Sequence, residues 1–252
     1  MTAFLMFRLY GPMVSWGDIA VGEQRLSQTR PSKSAVMGLL AAALGIKRDE
    51  EEKQIALANG YHMAARVDCE GALLRDYHTV QVPPPDRGRI YYTRKDEMSV
   101  PGHSLNTILS QRDYRVDAHY TIAISDNSGP YQLDELVRAL KKPIFLPYLG
   151  RKSCPLALPL APKVVQVENL KAAFDESQVD DDFFSGENLV STNASRLTTY
   201  YWEGLSRAET GFAAGGTYLI NEPRDQVSSR KRWQFISRKE HQLIVKQERE
   251  GI

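Results

Sequence analysis

The sequence predicts an α+β protein of ferredoxin-like (RRM-like) order, with a long β-hairpin inserted between its middle strands and a small β-rich C-terminal region. Three observations carry this. Residues 1–155 read as strand, helix, strand, strand, helix, strand from their hydrophobic periodicity. The middle strands are joined by Gly71 to Arg115, far longer than a hairpin turn requires. Residues 156–252 hold short β-favouring runs, which predict a smaller subdomain packed on the first.

"AFLMFRLYG" mixes aromatic and aliphatic residues and stops at Gly11-Pro12, as a first strand would. In "RPSKSAVMGLLAAALGI", Val36, Leu39, Leu40, Ala43 and Leu44 repeat at helical spacing, with Ser32 as N-cap and Gly45 as stop. "RDEEEKQIALANG" predicts a shorter helix. "YHMAARVDC" reads as the second strand, and "VDAHYTIAI" places Val116, Ala118, Tyr120, Ile122 and Ile124 on one face of the third. A helix carrying Leu133, Leu136, Val137 and Leu140 ends at Pro143, and "IFLPYLG" is read as the fourth strand. The insertion at about 72–115 has two extended arms, "LLRDYHTVQVPPP" and "TILSQRDYRVDA", around a tip rich in Pro, Gly and charge.

With 252 residues, 42% hydrophobic, the chain can bury a real core. Its net charge of +1 announces no nucleic-acid partner, but the sum hides segregation. Cations run from Arg25 to Arg48 and from Arg230 to Lys239, whereas Glu168 to Glu187 is acidic. Cys69 and Cys154 are distant and have no His or Cys at ligand spacing, which argues against a zinc site or disulfide framework and fits a cytoplasmic protein. No segment approaches the roughly 20 apolar residues of a membrane span, so no membrane association is expected. No cofactor motif is present.

Several segments fit two readings. "RPSKS" is either a plain N-cap with solvated cations or a phosphate site built from a helix N-terminus with Arg30, Ser32, Lys33 and Ser34. Trp16 is either a core lid or a stacking platform for a base. "YLGRKSCP" is either a basic surface turn or an anion-holding loop that offers Tyr148, Gly150, Arg151, Lys152 and Ser153. The hairpin alternates cations and rings: Arg75, Tyr77 and His78, then Arg112 and Tyr114, with Arg87, Arg89, Tyr91, Tyr92, Arg94 and Lys95 toward the tip. That interleaving suits single-stranded RNA, where cations meet phosphates and ring faces meet unstacked bases. His78 with Tyr77, or His119, could serve metal-free RNA cleavage, but no two such groups stand at a telling spacing. Asp180 to Asp182 read as an exposed acidic loop and not as a divalent-ion site.

"FRLYGPMVSWG", "TRPSKSAVMGLLAAALGIKRD", "LRDYHTV", "RDYRVDAHYTIAI", "KKPIFLPYLGRKSCPL" and the weaker "RDQVSSRKRWQFISR" occur in one order along most of the chain. Together they resemble the CasD-type, Cas-five family of the RAMP superfamily, found in type I-E CRISPR Cascade complexes. The resemblance implies a non-catalytic subunit that caps the 5′ handle of the crRNA. In such a subunit the body and its glycine-rich loop, here "YLGRKSCP", hold the handle. A thumb hairpin docks on the backbone subunit CasC, the large subunit CasA lies alongside, and target DNA is met only through the complex. Guide cleavage belongs to another subunit, CasE. In other subtypes the homologous subunit cuts the precursor, so a metal-independent endoribonuclease is the alternative reading.

Overall fold

The structure, a computed structural model, describes residues 1–20, 22–86, 88–177 and 197–246. In chain order the elements are β1 (Thr2–Tyr10), β2 (Met13–Val14), β3 (Trp16–Gly17), β4 (Gln24–Arg25), β5 (Ser27–Gln28), α1 (Lys33–Leu44), α2 (Glu51–Asn59), β6 (Tyr61–Cys69), β7 (Ala72–Val82), α3 (Arg94–Met98), β8 (Asn106–Val116) and β9 (His119–Asp126). They continue as α4 (Leu133–Lys141), β10 (Lys163–Val167), α5 (Leu170–Glu176), β11 (Leu197–Trp202), β12 (Thr217–Asn221), β13 (Gln226–Ser229), β14 (Gln234–Ile236) and β15 (Glu240–Lys246). The fold is mixed α/β with mostly antiparallel sheets.

The main sheet has the order β10-β1-β9-β6-β11-β15-β12, antiparallel throughout. Both of its faces are covered, so β1 reads as a continuous apolar run. Leu5, Phe7 and Leu9 point into a core with α1, α2 and α4, while Phe4 and Met6 point into a second core with Leu170, Ala173 and Phe174 of α5. Tyr120, Ile122 and Ile124 of β9 join the first core, as the alternation predicted. α1 begins where Ser32 accepts a hydrogen bond from the Ala35 amide (3.2 Å) and ends at Gly45 in the left-handed conformation (φ 75°).

Two expectations are corrected. Residues 144–150 are a loop and not the fourth strand. The amides of Ile144 and Phe145 donate to the carbonyls of Ala43 and Ala42 at the end of α1, and Tyr148 bridges back to Pro155. The strand beside β1 is instead β10, whose amides and carbonyls find a complete ladder there from Thr2↔Val167 to Met6↔Lys163. Nor do the strands after residue 155 form a sheet of their own apart from the first: β10, β11, β15 and β12 belong to the main sheet, and only β13 and β14 form a separate hairpin.

β7 and β8 pair without interruption from Ala72↔Val116 to Val82↔Asn106, making a two-stranded arm where the insertion was read. Its root is widened by β2 and β4, which pair with β8. At its tip α3 is closed by a capping box in which Thr93 and Asp96 each bond the other's amide.

Candidate nucleic-acid interface

The start of α1 is already supplied with an anion by the protein itself. The Lys33 amide donates to Asp225 Oδ2 (2.8 Å), and Lys33 Nζ lies 2.6 Å from Glu203 Oε1. Arg30 pairs with Glu240, and its guanidinium lies 4.4 Å over the ring of Tyr201. Arg238 closes the cluster by binding Asp225 (2.6 and 3.0 Å), Glu203 (3.3 Å) and Glu240 (2.6 Å). Burial opposes the charge on Arg238, yet the hydrogen bond and charge of Asp225, with Glu240 and Glu203, raise its pKa. Glu240 is pushed up by burial, against the pull of Arg30 and Arg238. Three cations thus meet three carboxylates out of water. Arg30 and Lys33, 7% and 4% exposed, hold the molecule together and offer no charge to a phosphate. Trp16 is also internal: it is 2% exposed and packs edge-on against Tyr120, 5.7 Å between ring centres, so no base can reach its face. Ser32 serves as the cap, with Ser34 Oγ 3.1 Å from its hydroxyl.

Around the root of the arm the charges stay at the surface. Alternation along β7 and β8 divides the residues read from the sequence between two faces. Arg75 and Tyr77 share one face with their cross-strand partners Asp113 and Gln111. His78 lies on the other face, the one that also carries Arg112 and Tyr114, with Ser110 as its cross-strand partner. Arg75 forks onto the buried Asp113 (2.8 and 3.0 Å), and that hydrogen bond, followed by the Arg75 charge, holds the Asp113 carboxyl below the usual range against the effect of burial. Tyr77, His78 and Arg112 are exposed, whereas Tyr114 is buried beneath Arg151. Tyr77 and His78 are successive strand residues and leave opposite faces, so they do not form an acid-base pair. His119 is buried in the main sheet.

The loop "YLGRKSCP" turns back on itself beside this root. Leu149 N donates to Cys154 O (2.8 Å), Cys154 N donates to Arg151 O (2.9 Å), and Ser15 N donates to Leu149 O (3.1 Å). Gly150 has φ 86°, and a β-carbon there would stand 1.8 Å from Ser15 O. The glycine is required by this close approach within the chain. Tyr148 is half-buried, and Lys152 and Ser153 are exposed. Arg25, Arg112, Arg151 and Lys152 together give the root a cationic surface.

At the tip, Arg89 lies 5.1 Å over Tyr91, and Arg94 binds Glu97 (2.5 Å) and the Gln81 carbonyl. Tyr92 and Lys95 are exposed. Arg87 and the Asp180 to Asp182 loop lie outside the described residues.

Sequence reasoning missed a cleft of about 950 Å³ over α1. Its walls come from residues 145–148, the start of α1, Lys47 and Arg48, and the turn of the β13–β14 hairpin, including Arg230 and Trp233. Both cationic runs were legible; that Arg48 from the first and Arg230 from the second line one cleft was not. Among the described residues no cluster of three His, Cys, Asp or Glu side chains could hold a metal, and no helix is long and apolar enough to cross a membrane.

The model of the family described as "CRISPR-associated protein (Cas_Cas5)" matches residues 4–239. The chain belongs to this Cas5 family. Among its relatives is the "CRISPR system Cascade subunit CasD" of Escherichia coli (strain K12), 34% identical over 200 residues, which cover 75% of this chain and 84% of that protein. Two solved structures share the fold at 23% identity. A chain of a "CRISPR RNA-guided surveillance complex" has a TM-score of 0.59, with 96% of this chain and 89% of that one covered. A "Crystal structure of Cas protein" has a TM-score of 0.54, with 96% and 95% covered. The arm and the main sheet lie within residues 4–239, apart from the first two residues of β1 and the whole of β15.

Proposed function

We propose that this chain is a subunit of a Cascade surveillance complex in the cytoplasm, where it binds the 5′ handle of the crRNA without cutting it. Membership of the Cas5 family and 34% identity to a Cascade subunit support the complex. The observation that carries RNA binding is the cationic root of the arm, where Arg25, Arg112, Arg151 and Lys152 surround a loop whose backbone is fixed from within. Phosphates are held there by charge, and the exposed Tyr77 offers a ring face on the arm. The arm acts as the thumb that docks on the backbone subunit CasC, through a tip that carries Arg89, Tyr92 and Lys95, with CasA alongside. Tyr77 and His78, on opposite faces, speak for binding over acid-base cleavage.

The test is incubation of the purified chain with a labelled repeat-containing RNA in EDTA, with binding and products followed together. Binding that falls steeply with salt, with the RNA intact, is expected. Cleavage at a unique repeat position that disappears in His78→Ala would replace this reading with a processing ribonuclease.

A further inference from the structure

The cleft over α1 has the composition of a ligand site, and its two arginines are held by aromatic rings and not by carboxylates among the described residues. Arg48 lies 5.2 Å and Arg230 5.0 Å from the ring centre of Trp233, so two guanidinium groups gather at one indole. Neither forms an ion pair with a carboxylate among the described residues; Arg230 donates only to the Ser34 carbonyl (3.3 Å). Two carboxylates line the cleft: Asp225 is bound by Arg238, and Asp18 is exposed and accepts from the amide of Ile19 (2.7 Å), with neither paired to Arg48 or Arg230. Arg230 is half-buried, and its pKa is lowered by burial first and then by the charge of Arg48. An anion between the two arginines would relieve that repulsion.

Trp233 adds a second, independent sign. It stands at φ 56°, a conformation that a bulky side chain rarely takes, yet its ring is 57% exposed and gains no core burial from the strain. Phe145 (42% exposed) and Leu146 (84%) supply apolar surface to the same cleft, and their segment is fixed by the Phe145 amide on the end of α1. Paired cations beside exposed rings match a nucleotide, which has an anionic phosphate and an apolar base face.

We infer that this cleft takes one unstacked nucleotide of the bound RNA, its phosphate between Arg48 and Arg230 and its base against Trp233 and the Phe145–Leu146 wall. This rests on the RNA-binding reading and adds a second contact surface to the root of the arm.

Fluorescence tests it directly, because Trp16 and Trp202 are 2% and 1% exposed and only Trp233 is open to a ligand. The full chain is titrated with a single-stranded repeat RNA and, separately, with adenosine 5′-monophosphate, in wild type, Trp233→Phe and Arg48→Glu. Arg48 is exposed, so its replacement leaves the core untouched. Saturable quenching that vanishes in Trp233→Phe, with RNA affinity at least tenfold weaker in Arg48→Glu, is the expected result. RNA bound equally well by Arg48→Glu, with no change at Trp233, overturns the cleft assignment and leaves RNA binding elsewhere intact. No RNA binding by the wild type removes the broader reading, and the mononucleotide titration then decides the cleft alone. Quenching by polyglutamate that RNA cannot displace would assign the cleft to an acidic protein segment and overturn the proposal.

Discussion

The guanidinium of Arg151 lies 4.7 Å over the ring of Tyr114 and donates to the carbonyls of Asp113 (3.3 Å) and Arg25 (3.1 Å). One side chain thus ties the 148–155 loop to β8 and β4. The neighbouring Lys152 is exposed at the same turn. These adjacent cations occupy different environments and should respond differently to removal.

Arg151→Ala is expected to lower both stability, by about 1 kcal/mol, and RNA affinity. Lys152→Ala should leave stability within about 0.5 kcal/mol of wild type while weakening RNA binding and flattening its salt dependence by roughly 0.7 in log–log slope. Urea unfolding and filter binding at several salt concentrations separate the two effects. Wild-type affinity of Lys152→Ala at every salt concentration would remove the loop from the RNA contacts.

Gly150→Ala must place a methyl group against Ser15 O and adopt a positive φ, and should cost about 2 kcal/mol or more. Gly17→Ala is the control, because no atom lies within 4 Å of its β-carbon. Equal unfolding midpoints for the two variants would contradict the packing described.

The Asp113 carboxyl titrates below its ordinary value in the folded chain, with the Arg75 hydrogen bond as the largest cause. The unfolded chain therefore takes up this proton first, so the pair's contribution is present above the ordinary carboxylate pKa and is lost as pH falls through the depressed folded value. Between about pH 5 and about pH 2, wild type should lose more of its denaturant midpoint than Asp113→Asn does. Parallel losses would show that the pair has no linkage to folding.

The tip of the arm is held by local contacts, among them the Thr93–Asp96 box and the bonds from Arg94 to Glu97 and Gln81. Replacing Pro84 to Val100 with a short turn should leave the thermal midpoint of the body within a few degrees of wild type. Assembly with CasC, followed by co-purification, should fail. Normal complexes from the shortened chain would take docking away from the tip.

What the sequence made legible was local. Ser32 and Gly45 bracket α1 because a cap and a left-handed stop act within one turn, and the arm was visible because its two strands share a composition and surround one turn-rich tip. Arg30 and Lys33 were read as surface cations because their partners, Glu240 and Glu203, arrive from the far end of the chain. The fourth strand was misplaced for a related reason. "IFLPYLG" has β-favouring side chains, but its first amides are taken by the end of α1, and no side-chain pattern reveals that. Arg48 and Trp233 meet only after the β13–β14 hairpin folds over α1.

The position of β15 also governs the order in which the molecule can be made. It is the last described strand to leave the ribosome, yet it sits inside the sheet, between β11 and β12. Until residues 240–246 emerge, β11 has an open edge, β12 has nothing to pair with, and Arg30 lacks the carboxylate of Glu240. The nascent chain carries, until that strand emerges, an incomplete main sheet whose open strand edges are exposed to other chains.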